Sequence, residues 1–310
     1  MNQAIVTVVI PTRNRPELLG RAINSVLKQS FKSFEILVII DGNDEVTKTM
    51  IEELNDPRIR YIMNIKSVGG GQARNIGVEN AKGEWIAFLD DDDEFLPDKL
   101  QKQYSKVLES SSKYPIGYCK IIARSPKKDY IWPRREMRKN EHVGDYILSR
   151  ETLFQGEGLI QTTMIFAPKE LLIKVPFGSN LKRHQEWDWL IRIANSKEDI
   201  EFVFVNEVLG TWYIEEERVS ISSQKGWEFS YKWINNYLVE GKVTKRAYAS
   251  FLMTVVAGIA VKENERKAFL YLLKSAINRG QTKLIDFILY FGIWIIPVNS
   301  RRMIRKLLSR

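Results

Sequence analysis

The chain has 310 residues, of which 44% are hydrophobic and 27% charged, a composition typical of a globular protein. Its single cysteine excludes a disulfide scaffold and a cysteine-rich zinc site, and its two histidines, His142 and His184, disfavour a histidine-based zinc site. The net charge of +9 is unevenly distributed along the chain. Residues 218–310 carry 17 Lys and Arg against 5 Asp and Glu, whereas residues 1–217 carry 30 Lys and Arg against 33 Asp and Glu.

The first hundred residues alternate between strand and helix patterns. Short apolar runs predict strands at Val6–Ile10, Phe34–Ile40, Arg60–Asn64 and Trp85–Leu89. Apolar residues at helical spacing predict helices that begin at Pro16 and that cover Val46–Leu54 and Gln72–Ala81. This alternation indicates an α/β fold with a mainly parallel, Rossmann-like sheet and helices on both faces. Ligands of such sheets bind at the carboxyl ends of the strands.

The rest of the chain has fewer strand patterns. A basic stretch interrupted by proline within residues 110–160 predicts a surface loop or lid. We then predict strands at Gln161–Ala167 and Glu201–Val205, a helix at Glu186–Asn195 and a turn at Gly210–Tyr213. From Gly226 the pattern is helical to the end, so we place a domain boundary near residue 220.

Four consecutive aspartates, Asp90 to Asp93, directly follow the predicted strand at Trp85–Leu89. An Asp-rich turn that caps the next helix is one interpretation. The other is a site for Mg²⁺ or Mn²⁺, because these cations prefer oxygen ligands and are often held by one or two carboxylates with substrate phosphates. An EF-hand is excluded, since Phe95 and Gln101 stand where Gly and Glu would be needed.

Two further candidates lie near the same predicted sheet edge. Asp41 follows the second strand and is either a turn residue or a carboxylate that accepts a hydrogen bond from a nucleobase or ribose. Arg74 follows three glycines at the start of a predicted helix. It is either a structural residue that caps this helix or a residue that contacts an anion. The glycines match neither a phosphate loop nor a dinucleotide fingerprint.

The stretch from Arg183 to Arg192 combines two tryptophans with acidic residues. A solvated helix start is one interpretation. The other is a sugar platform at Trp187 beside a carboxylate whose pKa is raised toward that of a useful general base, with Glu186 and Asp188 as the candidates.

The motifs together resemble the family 2 glycosyltransferases, inverting enzymes with the GT-A fold. The resemblance covers about residues 5–220 and is carried by five motifs in the family's order: Val8–Arg15, Asp41-Gly42, Ala73–Gly77, Ala81–Asp93 and Gln185–Asp188. Two positions depart from the family pattern. Arg13 stands where Tyr is frequent, and Gln185-Glu186 replaces the family's Glu-Asp pair.

The resemblance implies a role for each site residue. Asp92 is expected to bind a divalent metal, Mn²⁺ or Mg²⁺, and Glu186 to act as the catalytic base, with Asp188 as its competitor. Trp187 is expected to contact the acceptor. The remaining residues are expected to bind a nucleoside-diphosphate sugar, for which UDP is the expected nucleotide: Pro11, Thr12, Arg13, Asp41, Arg74, Asp90 and Asp91.

We therefore predict a catalytic domain over residues 1–220, with a nucleotide-sugar half at 1–100 and an acceptor half at 101–220, followed by a helical region at 221–310. The predicted reaction transfers a sugar to an acceptor hydroxyl, on a lipid-linked or cell-surface polysaccharide glycan. The alternatives are a sugar-activating nucleotidyltransferase, which the lack of a Gly-rich triphosphate loop disfavours, and a non-catalytic module that binds membrane surfaces.

The C-terminal region suggests where the protein acts. Residues 284–298 are nearly all apolar, and Arg301, Arg302, Arg305, Lys306 and Arg310 follow. This pattern indicates either a helix packed on the protein or an in-plane anchor on anionic lipid. No apolar run is long enough to span a bilayer, and Ala4–Ile10 lacks the features of a signal peptide. We expect a cytoplasmic protein that does not bind nucleic acid, and the anchor interpretation would make it peripheral on the inner face of the plasma membrane.

Overall fold

The computed structural model describes residues 4–126, 128–214, 226–296 and 300. The chain divides into two compact units, one of residues 1–136 with 160–220 and the other of residues 137–159 with 221–310. The predicted boundary near residue 220 lies outside the described residues. Residues 137–159, assigned from the sequence to the acceptor half, instead belong to the second unit, where the Arg150 amide donates to Ser250 Oγ at 2.9 Å.

The first unit is built on four parallel strands in the order β3-β2-β1-β4. They are β1 (Val6–Thr12), β2 (Phe34–Ile40), β3 (Ile59–Met63) and β4 (Trp85–Phe88). The helices between them are α1 (Pro16–Leu27), α2 (Glu45–Glu53) and α3 (Gly70–Asn80). All seven elements agree with the predicted ones to within two residues. Every residue of β2 is buried, as expected for a strand whose faces are both covered by helices.

Antiparallel strands extend this sheet, so the whole sheet is mixed. Among the described residues it has nine strands, and the added ones are β5 (Glu94–Phe95), β6 (Tyr114–Arg124), β7 (Asp129–Trp132), β8 (Phe166–Pro168) and β9 (Ile200–Tyr213). The helices of this part are α4 (Lys99–Val107), α6 (Lys169–Lys174) and α7 (Gln185–Ala194). The helix between α4 and α6 in the chain, α5 (Val143–Leu148), belongs to the second unit. β8 pairs antiparallel with β4, and β6 pairs parallel with β9.

Two predictions for this region were wrong, and a third, the strand at Gln161–Ala167, is correct only at Phe166 and Ala167, because a 3-10 turn occupies Thr162–Met164. Part of the predicted lid is the antiparallel pair β6–β7, whose charged residues lie at the exposed end of the pair, where Arg124 faces Asp129. The predicted turn at Gly210–Tyr213 is part of β9, because these residues pair with β6 from Ile121 to Arg124. β9 is held mainly by its backbone pairing with β6, which requires no continuous apolar pattern.

The second unit is helical, as predicted. It contains α5 (Val143–Leu148), α8 (Trp227–Val239), α9 (Lys245–Phe251), a π-helical turn (Leu252–Val256), α10 (Ala257–Lys262), α11 (Ala268–Arg279) and α12 (Leu284–Ile295). Of the helices in the described ranges, none is both long and apolar enough to cross a membrane. At about 1.5 Å per residue, the twelve residues of α12 reach only about 18 Å.

Candidate functional site

The carboxyl ends of β1, β2 and β4 lie together and bring three of the predicted site residues into contact. Thr12, the last residue of β1, donates from Oγ1 to Asp91 Oδ2 at 2.8 Å. The Asp41 amide, directly after β2, donates to the Thr12 carbonyl at 2.8 Å. Pro11 pairs in register with Ile39 of β2, next to this edge. The short apolar strands therefore deliver their polar end residues to one place, as parallel sheets do.

The four aspartates occupy different environments, and Asp93 is the structural one. Its side chain is completely buried and accepts hydrogen bonds from Thr163 Oγ1 at 2.6 Å, Gln161 Nε2 at 3.3 Å and the Tyr213 amide at 3.3 Å. Burial raises the pKa of Asp93 well above its ordinary value, and the carboxylates of Asp90 and Asp92 raise it further. Asp93 therefore ties the aspartate run to β9 and to the 3-10 turn at Thr162–Met164.

Asp91 and Asp92 converge on one positive centre. Arg15 Nη1 lies 3.2 Å from Asp91 Oδ1 and 3.4 Å from Asp92 Oδ2. Burial raises the pKa of Asp91, against the effects of Thr12 and Arg15. The Asp92 side chain is the more accessible of the two, with 22% of its surface exposed against 8% for Asp91. The guanidinium thus shows that both carboxylates can serve a single cation.

This arrangement fits a divalent metal with few protein ligands. Within the described residues, no group of three or more His, Cys, Asp or Glu side chains could hold a metal ion. Mg²⁺ and Mn²⁺ do not need such a group, because water and phosphate oxygens can complete a shell begun by one or two carboxylates. The donor set at Asp91 and Asp92 meets that requirement.

Arg74 connects the aspartates to the start of α7. The side chain is buried, and it donates from Nη2 to Asp90 Oδ1 at 2.6 Å and from Nη1 to Gln185 Oε1 at 2.9 Å. Gln161 Nε2 donates to the other oxygen of Asp90 at 3.0 Å. A Cβ atom at Gly70 would lie 3.1 Å from both Arg74 Nη1 and Gln185 Oε1. The glycine run therefore makes room for this connection and is not a phosphate loop.

Glu186 lies at the start of α7, next to this connection. Its side chain is partly buried, and burial raises the pKa of its carboxyl. The charges of Arg74 and Asp90 are close enough to act on the same carboxyl, Arg74 lowering the pKa and Asp90 raising it. A carboxyl with a raised pKa is a stronger base once ionised, which suits proton abstraction near neutral pH.

The competing carboxylate, Asp188, has a structural role. It is buried, and it accepts a hydrogen bond from Arg192 Nε at 2.7 Å, one helical turn further along α7. Arg192 also donates from Nη2 to the Pro176 carbonyl at 2.7 Å. This ion pair fixes α7 on the preceding segment and occupies Asp188, which leaves Glu186 as the candidate base.

The two tryptophans of α7 also differ. Trp189 is fully buried, donates from Nε1 to the Val175 carbonyl at 2.8 Å and stacks on Phe177. Trp187 is only partly buried and stacks on His184, with ring centroids 5.2 Å apart and planes at 9°. Burial and the Arg183 charge lower the pKa of His184 to about 3, so this ring is neutral near pH 7. Trp187 is thus the tryptophan available to a sugar.

Asp41 holds a loop in place. Its carboxylate accepts hydrogen bonds from four donors in the segment between β3 and α3: Ser67 Oγ at 2.7 Å, the Val68 amide at 2.7 Å, the Gly69 amide at 3.0 Å and Asn64 Nδ2 at 3.3 Å. A carboxylate has about four acceptor positions, so these donors use most of its capacity. Arg13 Nη1 also reaches Ser67 Oγ, at 3.2 Å. Asp41 and Arg13 therefore define the loop that borders the expected base pocket.

Several site residues were not identified from the sequence. Gln161 and Thr163 contact the aspartates from about seventy residues away, and no local pattern marks them. Asn75 forms two hydrogen bonds with the backbone of Phe177, each at 2.9 Å, and so joins α3 to the segment before α7. Arg15 is part of the Val8–Arg15 motif, but the sequence does not show that it contacts Asp91 and Asp92, which lie more than seventy residues further along the chain.

Comparison with known proteins gives a consistent result. The family model "Glycosyl transferase family 2" matches residues 7–173, more than half of the chain. The amylovoran biosynthesis glycosyltransferase AmsB of Erwinia amylovora is 26% identical over 243 residues, which cover 76% of this chain and 78% of AmsB. A second relative is the Escherichia coli protein WfgD, named UDP-Glc:alpha-D-GlcNAc-diphosphoundecaprenol beta-1,3-glucosyltransferase. It is 34% identical over 122 residues, which cover 39% of this chain and 48% of WfgD.

Two solved structures share the fold at low sequence identity. S. aureus TarS 1–349 in complex with UDP-GlcNAc has a TM-score of 0.52 at 16% identity, with 93% of this chain and 79% of that chain covered. The mannosyltransferase PcManGT from Pyrobaculum calidifontis, in complex with GDP-Man and Mn²⁺, has a TM-score of 0.57 at 13% identity. The match covers 100% of this chain and 85% of PcManGT.

Proposed function

The chain belongs to glycosyltransferase family 2, and from this premise we propose that it is a metal-dependent, inverting enzyme that transfers a sugar from a UDP-sugar to a hydroxyl of a lipid-linked glycan. The predicted family, the GT-A fold class and the assignment as a glycosyltransferase are confirmed. The two alternative functions find no support, since the relatives named above are glycosyltransferases.

The donor diphosphate and the metal are proposed to bind at the aspartate run. Asp92 would hold the cation, with Asp91 beside it, because their carboxylates converge on one centre and Asp92 is the more accessible. The Mn²⁺ in the PcManGT complex supports this choice. When bound, a divalent cation supplies positive charge that stabilises a diphosphate leaving group. Arg15 and Arg74 add fixed positive charge nearby, where the family resemblance places the diphosphate.

The chemical step is proposed to depend on Glu186. The acceptor hydroxyl attacks the anomeric carbon from the face opposite the diphosphate, the bond to the diphosphate oxygen breaks, and the configuration of that carbon is inverted. Glu186 accepts the hydroxyl proton, as a general base must, and its raised pKa matches this task. Trp187, which is partly exposed next to Glu186, is proposed to pack against the acceptor sugar.

The nucleotide half of the donor is proposed to bind at the ends of β1 and β2. Pro11, Thr12 and Arg13 line this edge, and Asp41 shapes it through the loop that its carboxylate holds. UDP is the proposed nucleotide because WfgD is named for UDP-Glc and the TarS complex contains UDP-GlcNAc. The name of WfgD supports the proposed lipid-linked acceptor, and with such an acceptor we propose that the enzyme works at the inner face of the plasma membrane.

The observation that carries the proposal is the continuous connection from Asp90 through Arg74 to Gln185, which joins the cation motif to the residue next to Glu186. The test is a donor-hydrolysis screen over UDP-, GDP- and dTDP-sugars with Mn²⁺, Mg²⁺ or EDTA. It is followed by transfer to a synthetic lipid diphosphate that bears one sugar, with the product anomer read by proton NMR. We expect metal-dependent turnover of a UDP-sugar and a product of inverted configuration. Full activity in EDTA would refute the metal site, and retained configuration would refute the role of Glu186.

A further inference from the structure

The apolar C-terminal helix α12 has two different faces. Asp286 and Tyr290 are completely buried. Leu284, Ile288, Phe291 and Ile295 are exposed by 76%, 50%, 39% and 73% of their surface, and their spacing of four, three and four residues places them on one side of the helix. The packed-helix interpretation therefore applies to the buried face, and the exposed face is the part of α12 that the anchor interpretation concerns.

The buried face fixes the orientation of α12. Arg246 of α9 forms an ion pair with Asp286, and Tyr290 donates from its hydroxyl to the Phe269 carbonyl of α11. The Phe269 ring also stacks on Tyr290 and contacts Trp294 edge to face. Rotating the exposed residues inward would break a buried ion pair, so the exposed face stays exposed in the unit as it is folded.

Helix α11 extends the same exposed surface. Its Leu270 and Ile277 are 59% and 50% exposed, and seven residues separate them, so they share one side of α11. Phe269 contacts Phe291 with ring centroids 6.1 Å apart, which brings the two helices together beside Leu270. We call the set Leu270, Ile277, Leu284, Ile288, Phe291 and Ile295 the apolar face.

Basic residues outnumber acidic ones in residues 268–295 by three to one, although Glu263 and Glu265 directly precede this segment. Lys267, Lys274 and Lys283 are exposed on or next to α11 and α12. The single acidic residue between Ala268 and Ile295 is Asp286, which is paired with Arg246. In the sequence, five more basic residues and no acidic one follow within the last ten positions. Such a surface would repel a second copy of itself and attract an anionic one.

We propose that the apolar face docks in the plane of an anionic lipid bilayer, with its side chains among the acyl chains and its lysines at the headgroups. Apolar side chains flanked by cations are what interfacial helices use, and α12 is too short to span the membrane instead. The docking does not depend on the transfer reaction. If the acceptor is lipid-linked, docking would also concentrate the enzyme where that acceptor lies.

The test is co-sedimentation of the full chain with vesicles of phosphatidylcholine alone or mixed with phosphatidylglycerol, at low and high salt. Ile288→Glu is compared with Ile173→Glu, a matched control in α6 of the first unit whose isoleucine is 53% exposed. We expect binding to the mixed vesicles that weakens with salt, a loss of about tenfold or more in Ile288→Glu, and no change in Ile173→Glu.

Circular dichroism and thermal melting show whether each variant is folded, and donor hydrolysis in detergent-free buffer reports the active site separately. Absence of binding to anionic vesicles, or equal binding by folded Ile288→Glu and wild type, would overturn the docking proposal. So would a dimer that Ile288→Glu converts to a monomer, because the face would then bind a second copy. Vesicle binding without any donor hydrolysis would leave docking supported while refuting the proposed function.

Discussion

Substituting Gln for Glu186 removes a proton acceptor while keeping the length and volume of the side chain. A positioned general base contributes about 10²- to 10⁴-fold to a rate, equivalent to about 3–5 kcal/mol in the activation free energy. We therefore expect kcat for transfer to fall by that factor in Glu186→Gln. The Michaelis constant for the donor should change little, because the aspartates and arginines near the diphosphate are untouched.

The matched control is Asp188→Asn on the same helix. Asp188 is buried and paired with Arg192, whose side chain is 27% exposed, so its loss should destabilise the fold by about 1–3 kcal/mol. The turnover of the folded fraction should stay within a few-fold of wild type. Initial rates with radiolabelled donor, corrected for active protein by donor calorimetry, measure both. Near-normal turnover in Glu186→Gln would show that Glu186 is not the base. Lost turnover in folded Asp188→Asn would show that Asp188 has more than a structural role.

The pH dependence gives a second measurement on the same pair. Because burial raises the pKa of Glu186, kcat/KM should fall with decreasing pH at a higher pH than an ordinary glutamate would produce. Ionising a carboxyl with a raised pKa costs folding free energy, so wild-type stability should decrease as pH rises through that pKa. Glu186→Gln should lose both dependences and melt no lower than wild type at neutral pH. An unchanged acid limb in the variant would assign that limb to another group.

Three further substitutions test the remaining site residues. Asp92→Ala should abolish metal-dependent donor hydrolysis and weaken Mn²⁺ binding measured by calorimetry, while the melting temperature stays close to that of wild type because the ion pair that is lost, with Arg15, is partly exposed on both sides. Arg15→Ala should tighten Mn²⁺ binding in the absence of donor, because it removes a cation that contacts both Asp91 and Asp92; weaker binding would contradict this. Asp41→Asn leaves one acceptor oxygen for four donors, so at least two lose their partner, at a cost of about 2–6 kcal/mol in urea denaturation. A decrease of less than about 1 kcal/mol in the free energy of unfolding of Asp41→Asn would contradict this prediction.

The parts of the fold that could be predicted are those whose stability is local or nearly so. β2 is buried on both faces and is therefore apolar at every position except Glu35, and α1 begins at Pro16, which is favourable at the first turn of a helix. The hairpin of β6 and β7 was missed because its outer end is exposed and charged, and because β6 also pairs with β8 and β9, which lie far along the chain. Its polar pattern resembles that of a loop.

In the site, too, some features have a local sequence pattern and others depend on distant contacts. The run of aspartates is visible in the sequence, but the function of each member depends on contacts that are distant along the chain. Asp93 is held by Thr163 and Gln161, which lie about seventy residues away on the 3-10 turn and directly before it. Nothing in the sequence around these two residues marks them, because a buried carboxylate can be satisfied by any donor that the fold brings near.

Four adjacent carboxylates would repel one another if all were solvated alike, and the fold separates their tasks. Asp93 faces inward to β9, Asp90 faces Arg74, and Asp91 faces Thr12 of β1, whereas Asp92 contacts Arg15 and has 22% of its side chain exposed. Three of the four thus fix the position of the strand end from which the fourth projects. Since Arg74 also holds Gln185, the contacts that position the proposed metal ligand extend directly to the helix that carries the proposed base. The proposed cation ligand and the proposed proton acceptor therefore share one supporting framework, which is how a site keeps two reacting groups at a constant separation.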